Sequence, residues 1–152
     1  MNESAEPKFG RGPHLCRPRN ALVGEGDGVG GFSVPGLVDT MKLHGEYDQV
    51  SLAGASLAAV SPKFPSSNAA FWDQLEIARN LHHVRRLIVL DHRDCGAFKV
   101  AFGKDFAPCC GAETAQHKSV MMQVQQELAK KQPGLPSEFY LMALDGTAER
   151  VL

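Results

Sequence analysis

The sequence has neither a long apolar run nor an excess of charge of one sign, and both absences limit what the protein can bind. No apolar stretch approaches the roughly 18–20 residues that a membrane-spanning helix requires. With 16 basic and 17 acidic residues, the net charge is -1, so the sequence offers no basic stripe to hold nucleic acid. We therefore expect neither a membrane nor a nucleic acid as a partner.

The N-terminal region lacks the features of a secretory signal. Residues 1–19 are polar and rich in Pro, Gly and Arg, without the apolar segment that such a signal carries. We expect a flexible N-terminal segment over 1–19 and a cytoplasmic protein. In that compartment, the 4 cysteines are better interpreted as thiols or metal ligands than as a disulfide framework.

The rest of the chain alternates between strand-like and helix-like segments. Four β-branched or aromatic runs bounded by Gly, Asp or Pro predict strands, and three segments with apolar residues at helical spacing predict helices. We expect strands within 20–24, 48–54, 85–92 and 138–146. We expect helices over 35–44, from an Asn68 cap to Leu81, and from Glu113 to the Pro133-Gly134 pair.

This alternation predicts an α/β fold. The run LIVL (87–90) is apolar on both faces, as a strand covered by helices on both sides should be. A chain of 152 residues, 43% of them hydrophobic, can bury one core. We predict one domain over 20–152 with three layers, in which a mostly parallel central sheet of about four to five strands is flanked by helices.

The end of the third strand carries candidate metal ligands. Ligands of such a sheet bind outside the carboxyl ends of its strands, and this strand ends in DHRDCG (91–96). His92 and Cys95 there place an imidazole and a thiol on one tight turn, a pair that favours zinc over magnesium or calcium. The alternative is a histidine that ends the strand and a cysteine packed beneath the next helix, because two ligands do not complete a zinc site.

The first strand ends in a glycine tract, GEGDGVGG (24–31), which has two interpretations. From Gly26 it matches G-x-G-x-x-G, a pattern that binds dinucleotide phosphates at a helix N-terminus. That pattern also needs an acidic residue at the end of the second strand, and this strand ends in LAGAS (52–56). The other interpretation is a loop that needs conformational freedom to bring Glu25 and Asp27 toward His92.

The run IARNLHHVRRLIVLDHRDCGAFKVAF (77–102) resembles the β-class carbonic anhydrases, in which a helix and an apolar strand lead into H-x-x-C-G. DQVSLAGASLAAV (48–60) is similar to the strand and Ala-Gly turn of that family, and the resemblance extends over about 20 to 146. It implies a Zn²⁺ cofactor, reversible hydration of carbon dioxide to bicarbonate through a metal-bound hydroxide, and a homodimer. His92 and Cys95 carry over as metal ligands.

The chain departs from this family at the first ligand motif. Where C-x-D-x-R is expected, it has E-x-D-x-V over 25–29. The resemblance then makes Glu25 the substitute metal ligand, Asp27 the catalytic residue that orients the hydroxide, and Gly54 and Ala55 the substrate pocket. Because Val29 cannot hold Asp27 away from the ion, we expect Asp27 to close the resting site if metal binds.

Several alternatives stay open at this point. Cys16 could supply the missing thiolate or be a surface thiol, and Arg17, Arg19 or Arg93 could replace the missing arginine. Cys109 and Cys110 could join His117 in a second metal site or form a loop corner. The alternative to an active lyase is a catalytically silent relative that keeps the fold for metal binding or assembly.

Overall fold

The computed structural model describes residues 20–24, 34–106 and 110–152, which form five strands and five helices. In chain order these are β1 (Asn20–Gly24), α1 (Val34–Met41), β2 (Tyr47–Ser51), α2 (Ser56–Val60), α3 (Pro65–His82), β3 (Leu87–His92), α4 (Gly96–Phe102), α5 (Cys110–Lys131), β4 (Ser137–Met142) and β5 (Ala148–Arg150).

The five strands form one sheet in the order β2-β1-β3-β4-β5. The first four strands are parallel to their neighbours, and β5 is antiparallel to β4. The central strand, β3, is buried from Leu87 to Asp91, as expected for a strand with both faces covered. The predicted α/β class is confirmed.

Alternate residues of β3 pack on opposite sides of the sheet. Leu87 and Val89 belong to a cluster with buried side chains of α3 and α5. Ile88 and Leu90 instead pack with Leu37 and other residues of the α1 region. This two-residue alternation is inherent to strand geometry, and it explains why the run LIVL has no polar face.

The predicted start of α3 is wrong. The helix begins at Pro65, with Phe64 as its N-cap and no side-chain capping bond. Proline suits the first helical position because its φ is already helical and its missing N–H would have no helical partner. Asn68 therefore lies inside the first turn, where its side-chain amide donates a hydrogen bond to the Ala59 carbonyl.

Three short elements were not predicted: α2, α4 and β5. The β4–β5 connection is a tight turn in which the Thr147 carbonyl accepts a hydrogen bond from the Ala143 N–H at 2.7 Å. Gly146 occupies the left-handed region there, with φ 87°. None of the helices in the described ranges combines the length and apolar character needed to cross a bilayer.

Candidate metal centre

The candidate ligands lie where the parallel strands end. His92 is the last residue of β3, and Cys95 immediately precedes α4. The last residue of β1, Gly24, is aligned with Leu90 of β3 and with Ser51 of β2. The strand β1 therefore ends at the same edge of the sheet as β3, the edge at which ligands bind in such folds.

The imidazole of His92 is oriented by the backbone next to it. Its Nδ1 lies 2.7 Å from the Arg93 carbonyl oxygen. A carbonyl oxygen only accepts hydrogen bonds, so Nδ1 carries the proton and the ring lone pair is on Nε2. A metal-ligating histidine commonly has one ring nitrogen fixed in this way and ligates through the other.

Cys95 is a buried thiol in an apolar setting. It is 3% exposed, forms no disulfide, and packs with Leu57, Phe98, Phe106 and Val120. This is also the packing that the alternative to a metal ligand predicts. Cys95 alone therefore does not define a metal centre.

The described part of the chain contains no group of three or more His, Cys, Asp or Glu side chains arranged to hold a metal ion. The predicted third ligand Glu25, the predicted catalytic Asp27, and the alternative ligand Cys16 lie outside the described residues. His92 and Cys95 are donors of the types that zinc prefers, so they fit half of a four-ligand zinc site.

The turn that joins the two candidate ligands is attached to α5. Glu113, a buried residue of α5, accepts a hydrogen bond from the Asp94 backbone N–H at 2.5 Å. Asp94 itself has φ 58°, a left-handed conformation that is unfavourable for most residues other than glycine. The buried Glu113 carboxylate thus stabilises the conformation of the turn between His92 and Cys95.

Arg93 is engaged on the same side of the turn. Its guanidinium lies 3.3 Å from the Glu113 carboxylate, 2.9 Å from the Thr114 hydroxyl and 3.1 Å from the Glu149 carboxylate. These contacts tie the turn to α5 and β5. They count against Arg93 as a replacement for the missing arginine, while Arg17 and Arg19 lie outside the described residues.

The predicted substrate pocket, Gly54 and Ala55, is a tight turn between β2 and α2. Gly54 has φ 79° and Ala55 has φ 37°, and both are buried. A Cβ atom on Gly54 would lie 3.0 Å from Cβ of Leu57 and 3.1 Å from Cβ of Ala97. The turn therefore packs closely against the start of α4, two residues beyond Cys95. The Ala55 N–H donates within the turn to the Leu52 carbonyl at 3.0 Å.

A buried polar cluster that was not predicted from the sequence lies beside the turn. The Asp91 carboxylate accepts hydrogen bonds from the Ser56 N–H at 2.9 Å, the Ser56 hydroxyl at 2.5 Å and His117 Nδ1 at 2.8 Å. All three residues are at most 1% exposed. His117 is therefore bonded to Asp91, while Cys109, its possible partner in a second metal site, lies outside the described residues.

Solved structures with a similar fold include two carbonic anhydrases. The structure aligns with the carbonic anhydrase of Streptococcus mutans with a TM-score of 0.58 and 15% identity, over 90% of this chain and 84% of that one. It aligns with the carbonic anhydrase of Glaciozyma antarctica with a TM-score of 0.52 and 19% identity, over 95% and 89% of the two chains. These alignments show that the chain has a carbonic anhydrase-like fold.

Sequence relatives are found in Rickettsia. The chain is 34% identical over 115 residues to an uncharacterized protein of Rickettsia conorii, which corresponds to 76% of this chain and 62% of that protein. An uncharacterized protein of Rickettsia bellii is also 34% identical over 115 residues, 76% of this chain and 70% of the relative. This chain belongs to the same family as these Rickettsia proteins. No protein-family model matches it.

Proposed function

We propose that this protein is a zinc-dependent, carbonic anhydrase-like lyase that interconverts carbon dioxide and bicarbonate. The observation that carries the proposal is the His92 Nδ1–H bond to the Arg93 carbonyl, which places the ring lone pair on Nε2, the nitrogen that could ligate a metal ion, three residues before Cys95. The turn that carries both side chains lies at the carboxyl edge of a sheet with a carbonic anhydrase-like fold. The resemblance in sequence gives these two ligands, and the carbonic anhydrase-like fold supports the proposed class of reaction.

In this proposal each residue has a separate role. His92 and Cys95 hold the zinc ion, with Glu25 as the third ligand. When bound, zinc would supply an activated water near neutral pH. Asp27 would orient the reacting oxygen, and the buried Gly54–Ala55 turn would line a small pocket for a molecule as compact as carbon dioxide.

The wider organisation is also proposed. We propose that residues 20–152 form the functional domain of a cytoplasmic homodimer; the N-terminal segment expected over 1–19 lies outside the described residues. The chain spans 62% of the length of the Rickettsia conorii relative. The proposed activity concerns this chain and not the rest of that longer protein. Gel filtration with light scattering tests the dimer, and a monomer would contradict it.

A catalytically silent, metal-binding relative is the second candidate. Val29 stands where the β-class carbonic anhydrases have the arginine that pairs with their aspartate. The Arg93 guanidinium is held by Glu113, Thr114 and Glu149. Without a paired arginine, Asp27 is drawn to the ion, because a buried lone carboxylate is costly. A site closed by Asp27 binds zinc without leaving a position for water.

The two candidates make different predictions for a repaired site. We would measure zinc content and carbon dioxide hydration for the wild type, for Cys95→Ala and for the double variant Glu25→Cys with Val29→Arg. An active lyase hydrates carbon dioxide as wild type and loses both zinc and activity in Cys95→Ala. A silent relative binds zinc as wild type and gains hydration only in the double variant.

Cys109→Ala is the matched control, because it removes a cysteine that the proposal does not use. Hydration by the wild type that survives Cys95→Ala unchanged would contradict the proposal. If Cys109→Ala lost zinc and Cys95→Ala did not, the metal centre would have to be assigned to another part of the chain.

A further inference from the structure

Three elements meet at one buried carboxylate. Asp91 belongs to β3, Ser56 is the first residue of α2, and His117 lies on α5. Both carboxylate oxygens are used: Oδ1 accepts from the Ser56 N–H, and Oδ2 accepts from the Ser56 hydroxyl and from His117 Nδ1. Because a carboxylate only accepts hydrogen bonds, His117 carries its proton on Nδ1.

The Ser56 side of this cluster stabilises a strained turn. Ala55 has φ 37° and ψ -90°, a conformation that L-residues rarely adopt. Such a conformation persists only where the surrounding structure holds it. Two of the three hydrogen bonds to Asp91 come from Ser56, the residue directly after Ala55, so Asp91 restrains the turn together with backbone hydrogen bonds such as Ala55 N–H to Leu52.

The β3 side of the cluster fixes the end of the strand. Successive residues of a strand point to opposite faces, so the side-chain direction of Asp91 determines that of His92. Asp91 lies on the face that Leu87 and Val89 share with α5, and its bond to His117 holds it there. Rotation of this strand end would turn the His92 ring away from its present orientation.

Burial makes these contacts specific for a carboxylate. A buried ion pair or hydrogen-bonded charge contributes little net stability compared with a well-packed apolar residue. Its removal nevertheless leaves buried donors without partners, here on Ser56 and His117. The cluster therefore contributes little to the free energy of folding, but it selects one geometry for the turn and for the end of the strand.

We propose that Asp91 is a positioning residue of the candidate zinc site: with Ser56 and His117 it fixes the His92 orientation and the Gly54–Ala55 turn. This inference rests on the proposed function, since it needs an ion at His92 and Cys95.

The test compares Asp91→Asn with the matched control Glu138→Gln, which makes the same carboxylate-to-amide change elsewhere on the sheet. Zinc affinity is measured by competition with a chelator, and the site geometry by the visible absorption of the cobalt(II)-substituted protein. Asp91→Asn is expected to weaken zinc binding about tenfold to a hundredfold, as changes around metal ligands commonly do, and to alter the cobalt spectrum. Glu138→Gln leaves both unchanged.

A nitrogen NMR measurement follows the Asp91–His117 bond itself. The Ser56 N–H requires an acceptor, so the asparagine keeps its oxygen toward Ser56 and turns its NH2 group toward His117. The His117 ring is therefore expected to move its proton from Nδ1 to Nε2 in Asp91→Asn. The tautomer is read from the ring nitrogen shifts without any metal. Should Asp91→Asn fail to fold, Ser56→Ala takes its place, with a smaller loss of zinc affinity in the same direction.

The outcomes separate this inference from the proposed function. A wild type that binds neither zinc nor cobalt overturns the proposed metal site and the inference with it. A wild type that binds both, with unchanged affinity and spectrum in the folded Asp91→Asn or Ser56→Ala variant, overturns the inference alone. An unchanged His117 tautomer in Asp91→Asn also overturns it.

Discussion

Two carboxylates of the sheet have different surroundings. The one at the carboxyl end of β3 is fully buried and accepts three hydrogen bonds, whereas the one on β4, beside the amino end of β3, is partly exposed and accepts two. The first is Asp91, with Ser56 and His117 as its donors. The second is Glu138, which receives hydrogen bonds from Arg86 and from the Tyr140 hydroxyl, each at 2.8 Å. Its side chain is 18% exposed and that of Arg86 is 30% exposed.

The two ends differ in what their polar groups do. Partly exposed ion pairs contribute at most about 1 kcal/mol to stability. The Arg86–Glu138 pair joins two neighbouring chain segments that are already aligned by the pairing of β3 with β4. The Asp91 cluster instead joins a strained turn, a strand end and a helix beside two candidate metal ligands. The polar groups that hold the left-handed residues Ala55 and Asp94 lie at the end where a parallel sheet binds its ligands.

The largest effect expected in this comparison is on the backbone at Gly54. Gly54→Ala adds left-handed strain and places a Cβ atom 3.0–3.1 Å from Leu57 and Ala97. We expect the free energy of unfolding to fall by about 2–4 kcal/mol, the sum of conformational strain and overpacking. Urea unfolding followed by circular dichroism measures the change.

Gly45→Ala is the control for Gly54→Ala. Gly45 also has a positive φ, 70°, but no atom lies within 4 Å of a Cβ placed there. It should lose only the strain, about 1–2 kcal/mol. Equal losses in the two variants would show that the Gly54 turn is not tightly packed against α4, contrary to the structure.

The smallest effect is expected near the amino end of β3. Burial acts to raise the pKa of Glu138, but hydrogen bonds from Tyr140 and Arg86 and the charge of Arg86 outweigh it, so the pKa is lowered. A carboxyl group whose pKa is lowered by folding stabilises the protein above its unfolded pKa, and this stability is lost as the pH falls through the folded pKa.

Glu138→Gln should therefore cost less than about 1 kcal/mol at pH 7. The difference from wild type should shrink as the pH is lowered below the unfolded pKa of glutamate, near 4.3. Thermal unfolding at a series of pH values measures both quantities. A difference that grows on acidification would contradict the assigned ion pair.

The main strands could be predicted because their signal is local. A buried strand such as β3 is a continuous apolar run, and the spacing of His92 and Cys95 is visible within four residues. The helices α2 and α4 have only 5 and 7 residues, too few for a helical period to stand out. All three residues of β5 are exposed, so it lacks an apolar alternation, and the Asp145-Gly146 pair was its local signal.

The Asp91 cluster could not be predicted because its contacts are distant in sequence. Ser56 and His117 lie 35 and 26 residues from Asp91. The sequence indicated only that a charged residue ends an apolar strand. Which donors face it depends on how α2 and α5 pack on the sheet, and periodicity within each helix carries no information about that.

In the proposed site, His92 and Cys95 hold a zinc ion at the end of β3. A crystal of the zinc-loaded protein measured at the zinc absorption edge is the decisive experiment. We predict one anomalous peak about 2.0–2.1 Å from His92 Nε2 and about 2.3 Å from Cys95 Sγ. A zinc-loaded crystal whose anomalous peaks all lie away from these two atoms would contradict the assignment of His92 and Cys95 as ligands.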